Sequence, residues 1–313
     1  MGDYLESSYW DGSAVVSYPD YGGTIDTNLA LQAADSVSPI FSTEIADTAA
    51  WVRAHASDYT GSGSCVASSN PATTSLSAGA TAKITVFELA NLPTSTAGNY
   101  AAELACMQDG SGRIANYGTS AASPTWTFDQ AFAILALDNV SGYGTETTDA
   151  VTYLLSQQCT NGAFAGAFPA GLGGNGTCNN TAFDPDQADV DSTALAIQVL
   201  IDEGSVPSLI AAFNANTWLS GQQNGAGYWQ STACTGTAQP SVNSTAVGIQ
   251  AYVMIGSTVT TSQAWIENQA GIDARLPGCT ATAGGTPVQD SFDQYATNQG
   301  VLGLLGVTYP SLV

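Results

Sequence analysis

Ala194-Leu195-Ala196-Ile197-Gln198-Val199-Leu200 carries a single polar side chain over nearly two helical turns. A helix that is apolar on every side has no face to offer water and must be buried all round. The same kind of run returns as Ala131-Phe132-Ala133-Ile134-Leu135-Ala136-Leu137 and as Ala246-Val247-Gly248-Ile249-Gln250-Ala251-Tyr252. Six such Ala-rich segments start near Thr27, Thr81, Gln130, Thr193, Thr245 and Thr297, roughly every fifty residues, which is the mark of a repeat architecture. They predict six inner helices near 26–36, 80–92, 129–140, 192–203, 244–255 and 295–306.

Stretches of another character lie between them. Leu209, Ile210 and Phe213 form one apolar stripe at helical spacing, and Val151, Leu154 and Leu155 form another. These stretches close on an aromatic followed by polar residues: Trp51 and His55, Tyr153 and Gln157-Gln158, Trp218 and Gln222-Gln223, Trp265 and Gln269. They predict about five to six outer helices, each with one face turned inward. Alternation of the two kinds predicts an all-α fold, a closed α/α toroid running as one domain over 1–313.

A shorter motif follows the outer segments. Gln108-x3-Gly112-x-Ile114, Gln158-x3-Gly162-x-Phe164 and Gln223-x3-Gly227-x-Trp229 share one spacing. Glycine permits a left-handed turn after a helix, the apolar residue packs under the turn, and the amide can bond freed backbone groups. On these residues the chain resembles the QW-repeat proteins of the squalene cyclase and prenyltransferase superfamily, across most of its length. Its first and fifth repeats are degenerate. The resemblance implies an α/α toroid built from prenyltransferase/squalene-oxidase-type repeats.

The six cysteines, Cys65, Cys106, Cys159, Cys178, Cys234 and Cys279, include no C-x-x-C pair, and His55 is the sole histidine. A zinc site of the usual Cys/His kind lacks ligands at useful spacing. All six fall at or near outer-to-inner connections, so they read as three disulfides of an oxidising compartment, secreted or at the cell surface. Cys159–Cys178 within one loop, with Cys65–Cys106 and Cys234–Cys279 between neighbouring repeats, is the pairing preferred among the fifteen that sequence allows. Met1-Gly2 opens directly into polar sequence, with neither the charged nor the apolar stretch of a signal peptide.

Charge narrows the partners. Arg53, Lys83, Arg113 and Arg275 face 26 Asp and Glu, for a net charge of −22. Such a surface repels phosphate backbones and anionic lipid, which excludes nucleic acid as a partner. No apolar run is long enough to span a membrane.

Carboxylates crowd the entry to the fourth inner segment, in Asp184-Pro185-Asp186-Gln187-Ala188-Asp189-Val190-Asp191-Ser192-Thr193. One reading is helix capping. A second is calcium held by Asp184, Asp186, Asp189 and Asp191, although the spacing is not that of an EF-hand. A third comes from the resemblance. Asp189-Val190-Asp191-Ser192-Thr193 is similar to the D-x-D-D-T pattern of class II terpene cyclases, with Ser192 in place of the last Asp. That similarity implies Asp191 as general acid and Asp189 as its partner. Carboxylate-only glycoside hydrolysis is a further option, because Asp129, Asp189, Asp191 and Asp293 all stand near inner-helix starts.

Around those starts gather Trp126, Phe128, Asp129, Phe183, Tyr228, Trp229, Phe292, Asp293 and Tyr295, the makings of an aromatic ligand pocket or of a plug for the barrel's end. The zinc ligands of protein prenyltransferases, the C-G-E-Q of thioester domains and the G-x-S-x-G of hydrolases are absent. The chain also resembles the cobalamin carriers, intrinsic factor and transcobalamin, which are secreted, disulfide-bonded toroids. That likeness implies a binding module rather than an enzyme. It would take a small apolar or amphipathic molecule, with no cofactor beyond calcium, and work with a separate β-rich domain or a membrane transporter.

Overall fold

The computed structural model describes residues 6–10, 15–67, 71–91, 95–119, 125–173, 176–181, 184–231, 239–269 and 294–313. Inner helices are α1 (Tyr21–Val37), α4 (Ala78–Asn91), α6 (Thr127–Asp138), α8 (Val190–Glu203), α10 (Val242–Met254) and α12 (Gln294–Leu305). They match the six apolar runs to within a few residues. Outer helices are α2 (Ser42–Ala54), α5 (Ser95–Met107), α7 (Gly144–Ser156), α9 (Val206–Gln222) and the short α11 (Thr260–Glu267), with a further turn α3 at Ala56–Thr60. Each outer helix packs on the inner helix before it, and the inner helices pack neighbour to neighbour, with α12 returning to α1. The Asn298 amide of α12 donates to Thr27 Oγ1 of α1 at 3.0 Å, which closes the ring. The all-α toroid read from the sequence is the fold observed.

The outer helices earn their place differently from the expectation at α9. Its inward face is Ser208, Ala211, Ala212, Ala215, Trp218 and Leu219. Ile210 and Phe213 of the anticipated stripe point outward, 58% and 56% exposed. Small side chains let α9 lie close on α8, and the larger ones are left on the outside. In α7 the stripe holds as read, with Val151 and Leu154 buried.

The glutamine motif is a staple between repeats. Gln108 Nε2 donates to Glu146 O at the start of α7 at 2.7 Å. Gln223 Nε2 reaches Ser262 Oγ of α11 at 2.9 Å. In the middle copy Gln158 Nε2 donates to Ala211 O at 2.8 Å and Gly166 O at 2.9 Å. The glycine and ring in that copy are therefore Gly166 and Phe168, not Gly162 and Phe164. Gly166 has φ +96° and a methyl group there would fall 2.4 Å from Asn214 O, just as one on Gly112 would fall 2.1 Å from Asp149 O; Gly162 faces open space. Four extra residues, folded as a 3-10 turn over Gly162–Phe164, displace the motif.

Two disulfides are formed, Cys65–Cys106 and Cys159–Cys178, with Cα atoms 5.9 and 5.6 Å apart. Cys234 and Cys279 lie outside the described residues. Among the described residues no helix is long and apolar enough to cross a membrane.

Candidate active site at the inner-helix N-termini

The inner helices all start at the loop-rich end of the barrel, so whatever their first turns carry meets there. Asp20 caps α1 by accepting from Gly23 N at 2.7 Å. Asp129, in the first turn of α6, accepts from Trp126 N at 3.0 Å. Asp189 caps α8 by accepting from Ser192 N at 2.8 Å. Asp191 stands one residue inside α8. Each cap satisfies an orphan N–H and meets the positive helix end.

Burial then separates these carboxyls in acidity. Asp191 keeps some exposed surface as a residue, yet its Oδ1 is shut away from solvent and finds no hydrogen-bond donor. Loss of water, reinforced by the neighbouring Asp189 charge and eased by the Ser244 hydroxyl of α10, pushes its carboxyl up to about 7. Burial raises Asp189 too, against the bonds from Ser192 and the Asp191 backbone. Asp129 is pushed up to about 6 by burial, opposed only by its bond from Trp126. A methyl group on Gly79 would fall 2.0 Å from Asp129 Oδ1, so this carboxyl lies directly over the start of α4.

Across the mouth stands a pair that the sequence reading missed. Lys83 Nζ of α4 donates to Asp26 Oδ2 of α1 at 2.7 Å, with Asp26 almost wholly buried. A methyl on Gly22 would lie 3.4 Å from Tyr59 Oη and 3.8 Å from Lys83 Nζ, which places both groups against the start of α1. The Tyr59 hydroxyl is raised by burial and by the charges of Asp26, Asp129 and Asp20, so it stays a neutral donor. Only half of the signal was there to read: Lys83 is the only lysine, set in a mostly apolar run. On the rim Tyr21 stacks on Trp51 at 5.4 Å, and Trp51 on His55 at 4.3 Å.

Deeper between the inner helices the barrel is filled, and polar side chains are buried in it. Tyr309, from the turn after α12, enters between the inner helices; its hydroxyl meets Gln299 Nε2 at 2.5 Å and its backbone N–H reaches Gln198 Oε1 at 3.2 Å. Its ring meets Phe132 edge-on at 5.0 Å, and Phe132 in turn meets Phe128 at 6.4 Å.

The anticipated residues thus divide. Trp126, Phe128, Asp129, Asp189 and Asp191 stand at the starts of the adjacent helices α6 and α8. Trp229 does not line a pocket: it is fully buried, donates from Nε1 to Leu219 O at 2.9 Å and meets Tyr252 edge-on. Tyr228 is likewise buried, packed on Trp265 at 5.1 Å. Alternation along Trp229–Ser231, a strand paired with Gln239–Ser241, sends the tryptophan into the core. Phe183, Phe292 and Asp293 lie outside the described residues, as does the side chain of Tyr295. The acidic stretch does not converge on a cation. Asp184 Oδ1 accepts from Asp186 N at 2.9 Å, Asp189 is turned to its cap, and among the described residues no three His, Cys, Asp or Glu side chains gather to hold a metal ion.

Fold and mouth together define an α/α toroid whose inner-helix N-termini carry part-buried carboxyls pushed up by loss of water. No family model matches the chain, and no curated protein does. Solved structures do. The unsaturated glucuronyl hydrolase of Bacillus sp. GL1, responsible for degradation of glycosaminoglycan, superposes with a TM-score of 0.66 at 11% identity, covering 97% of this chain and 91% of that one. The GH76 α-mannanase of Bacteroides thetaiotaomicron gives 0.61 at 13% identity, over 95% and 89%. A type II terpene cyclase of Scytonema gives 0.60 at 10%, over 99% and 92%. At such identities the likeness is one of fold.

Proposed function

We propose that the chain is a carbohydrate-active enzyme that hydrolyses a glycosidic bond at the mouth of the toroid, in an oxidising compartment. This reading displaces the binding module expected from the cobalamin carriers, because the neighbours in fold are enzymes and the mouth carries groups able to do acid–base chemistry. One observation carries it. Asp191 and Asp129 stand in the first turns of neighbouring inner helices, part-buried as residues, and loss of water pushes their carboxyls up to about 7 and about 6. Neutral Asp191 donates its proton to the glycosidic oxygen as the bond to the anomeric carbon breaks. Ionised Asp129 takes a proton from the water that attacks that carbon, so one water is consumed and two hydroxyls are made. The test is a panel of glycosides with good leaving groups, read by release of the aglycone. Asp191→Asn and Asp129→Asn should each lower kcat by ~10²-fold or more with unchanged circular dichroism. Full activity in either variant, or no turnover across the panel, ends the proposal.

A terpene-cyclase reading keeps support from Asp191, whose raised acidity beside Asp189 suits protonation of an alkene. Such chemistry needs a dry aromatic cavity. Gln198, Gln250 and Asn298 are buried between the inner helices, and Tyr309 is packed among them against Gln299 and Phe132, so the described centre of the barrel is filled.

A further inference from the structure

Between the loop that follows α3 and the outer helix α5 lies a cavity of about 470 Å³ that the mouth does not use. It sits behind α4. Gly79 of that helix lies against Asp129 and Lys83 reaches Asp26, both at the mouth. Thr81, about half a turn round the helix from each, lines the cavity instead. The loop over 61–63 makes one wall. Asn99, Tyr100 and Glu103, three and four residues apart on a single face of α5, make the other. We infer that this cavity is a carbohydrate site separate from the mouth, which holds a neutral saccharide unit on the flank of the toroid.

The wall is built before any ligand arrives. Glu103 Oε2 accepts from Cys65 N at 2.6 Å and Val66 N at 3.3 Å, and its Oε1 takes the Ser64 hydroxyl. The Cys65–Cys106 disulfide ties the same loop to α5 a second time. Loop and helix are thus fixed against each other, which spares a ligand the cost of ordering them. Open polar groups line the space. Ser62 and Asn99 are exposed, and their side chains, like the Tyr100 hydroxyl, take no hydrogen bond from the described residues. Burial and the Glu88 charge hold the Tyr100 hydroxyl neutral, as a donor. Thr60 and Thr81 spend their hydroxyl protons on Ala56 O and Ser77 O, so each turns an oxygen to the cavity as acceptor. Glu103, with three donors already on a carboxylate that can accept about four, has room for one more. Neutral donors and acceptors side by side match the hydroxyls of a sugar, which do both, and the half-buried Tyr100 ring suits its apolar face. Among the described residues no lysine, arginine or histidine lines the cavity, so nothing there receives a phosphate or a uronate. Its size falls within the usual range of small-ligand sites, about 300–1,000 Å³.

Calorimetry tests this on the full chain carrying Asp191→Asn, so that nothing is cleaved during titration. The probes are cellotetraose, maltotetraose, mannotetraose and xylotetraose, with tetragalacturonate and tetraglucosamine as charged controls. At least one neutral tetrasaccharide should bind. Ser62→Trp, which fills the cavity from its exposed rim, should weaken that binding at least ~10-fold, and Asn99→Ala about 3-fold or more. Asn99 lies exposed on α5 and carries the test if the tryptophan variant fails to fold. In the chain with Asp191 intact, neither substitution should change release of aglycone from a small glycoside. Binding untouched by both substitutions, no binding of any neutral tetrasaccharide, or a charged oligomer bound as tightly overturns the inference. Loss of small-glycoside turnover in both variants overturns it too, by joining the cavity to the mouth. Saccharide held here by a chain that cleaves no glycoside leaves this site standing and ends the enzyme reading alone.

Discussion

Trp229 shows how much one residue depends on what another lacks. A methyl group on Gly248 would come within 2.9 Å of its indole, so α10 must be bare where the ring lies across it. Gly248→Ala should therefore cost about 1–3 kcal/mol in urea unfolding, despite its helical backbone favouring alanine. An unchanged midpoint would show that the indole can move aside. Lys83 makes the opposite case, of a residue needed by its partner. Lys83→Met leaves a buried carboxylate without its counter-charge and should cost about 3–5 kcal/mol, read the same way. Little of this was legible beforehand. The lysine stood out in its apolar run, but Asp26 lies 57 residues earlier and nothing local links them. The caps were legible, because an N-cap acts within three residues of itself. Trp229 was misread because an aromatic beside a predicted mouth and one beneath it look alike until strand alternation is known.

Among the elements, the staple was read correctly as a spacing and wrongly in one register. Sequence pattern counts residues, whereas the structure matches a left-handed glycine to the carbonyl of the next outer helix, and an insertion breaks the first without harming the second. A paired substitution separates the two. Gly166→Ala should destabilise by more than about 1 kcal/mol and Gly162→Ala by roughly half that or less, measured as the difference in unfolding midpoint; the reverse order would restore the sequence register. The two disulfides, spanning 41 and 19 residues, tie loops at the same end. Chain entropy assigns them about 4 and about 3 kcal/mol. Serine replacement of the Cys65–Cys106 pair should accordingly lower the melting temperature more than replacement of Cys159–Cys178. The stripe on α9 failed as a reading for a plain reason: apolar spacing marks a face, and only contact with a partner says whether that face is covered.

For the molecule as a whole, the carboxyls set how it answers to pH. Asp129 and Asp191 hold protons more tightly folded than unfolded, so the stability linked to them is complete below about pH 4, the unfolded value. It is lost as pH rises through about 6 and then about 7. The melting temperature should thus climb on acidification from about pH 7.5 to about 5, and a flat or falling profile would show that these groups are ordinary. Activity should instead follow a narrow bell, since Asp129 must be ionised while Asp191 is neutral, and the two limbs stand about one unit apart. The repeat and the ring were legible in the sequence because they rest on periodicity. The meeting of first turns from separate repeats was not, since it exists only after closure. That closure has a bearing on how the protein is made. Thr27 waits for Asn298, and the barrel's centre waits for Tyr309, so one side of the first inner helix stays unmatched until the last has been synthesised. A ribosome-bound chain is an arch without its keystone, still threadable and still without a mouth.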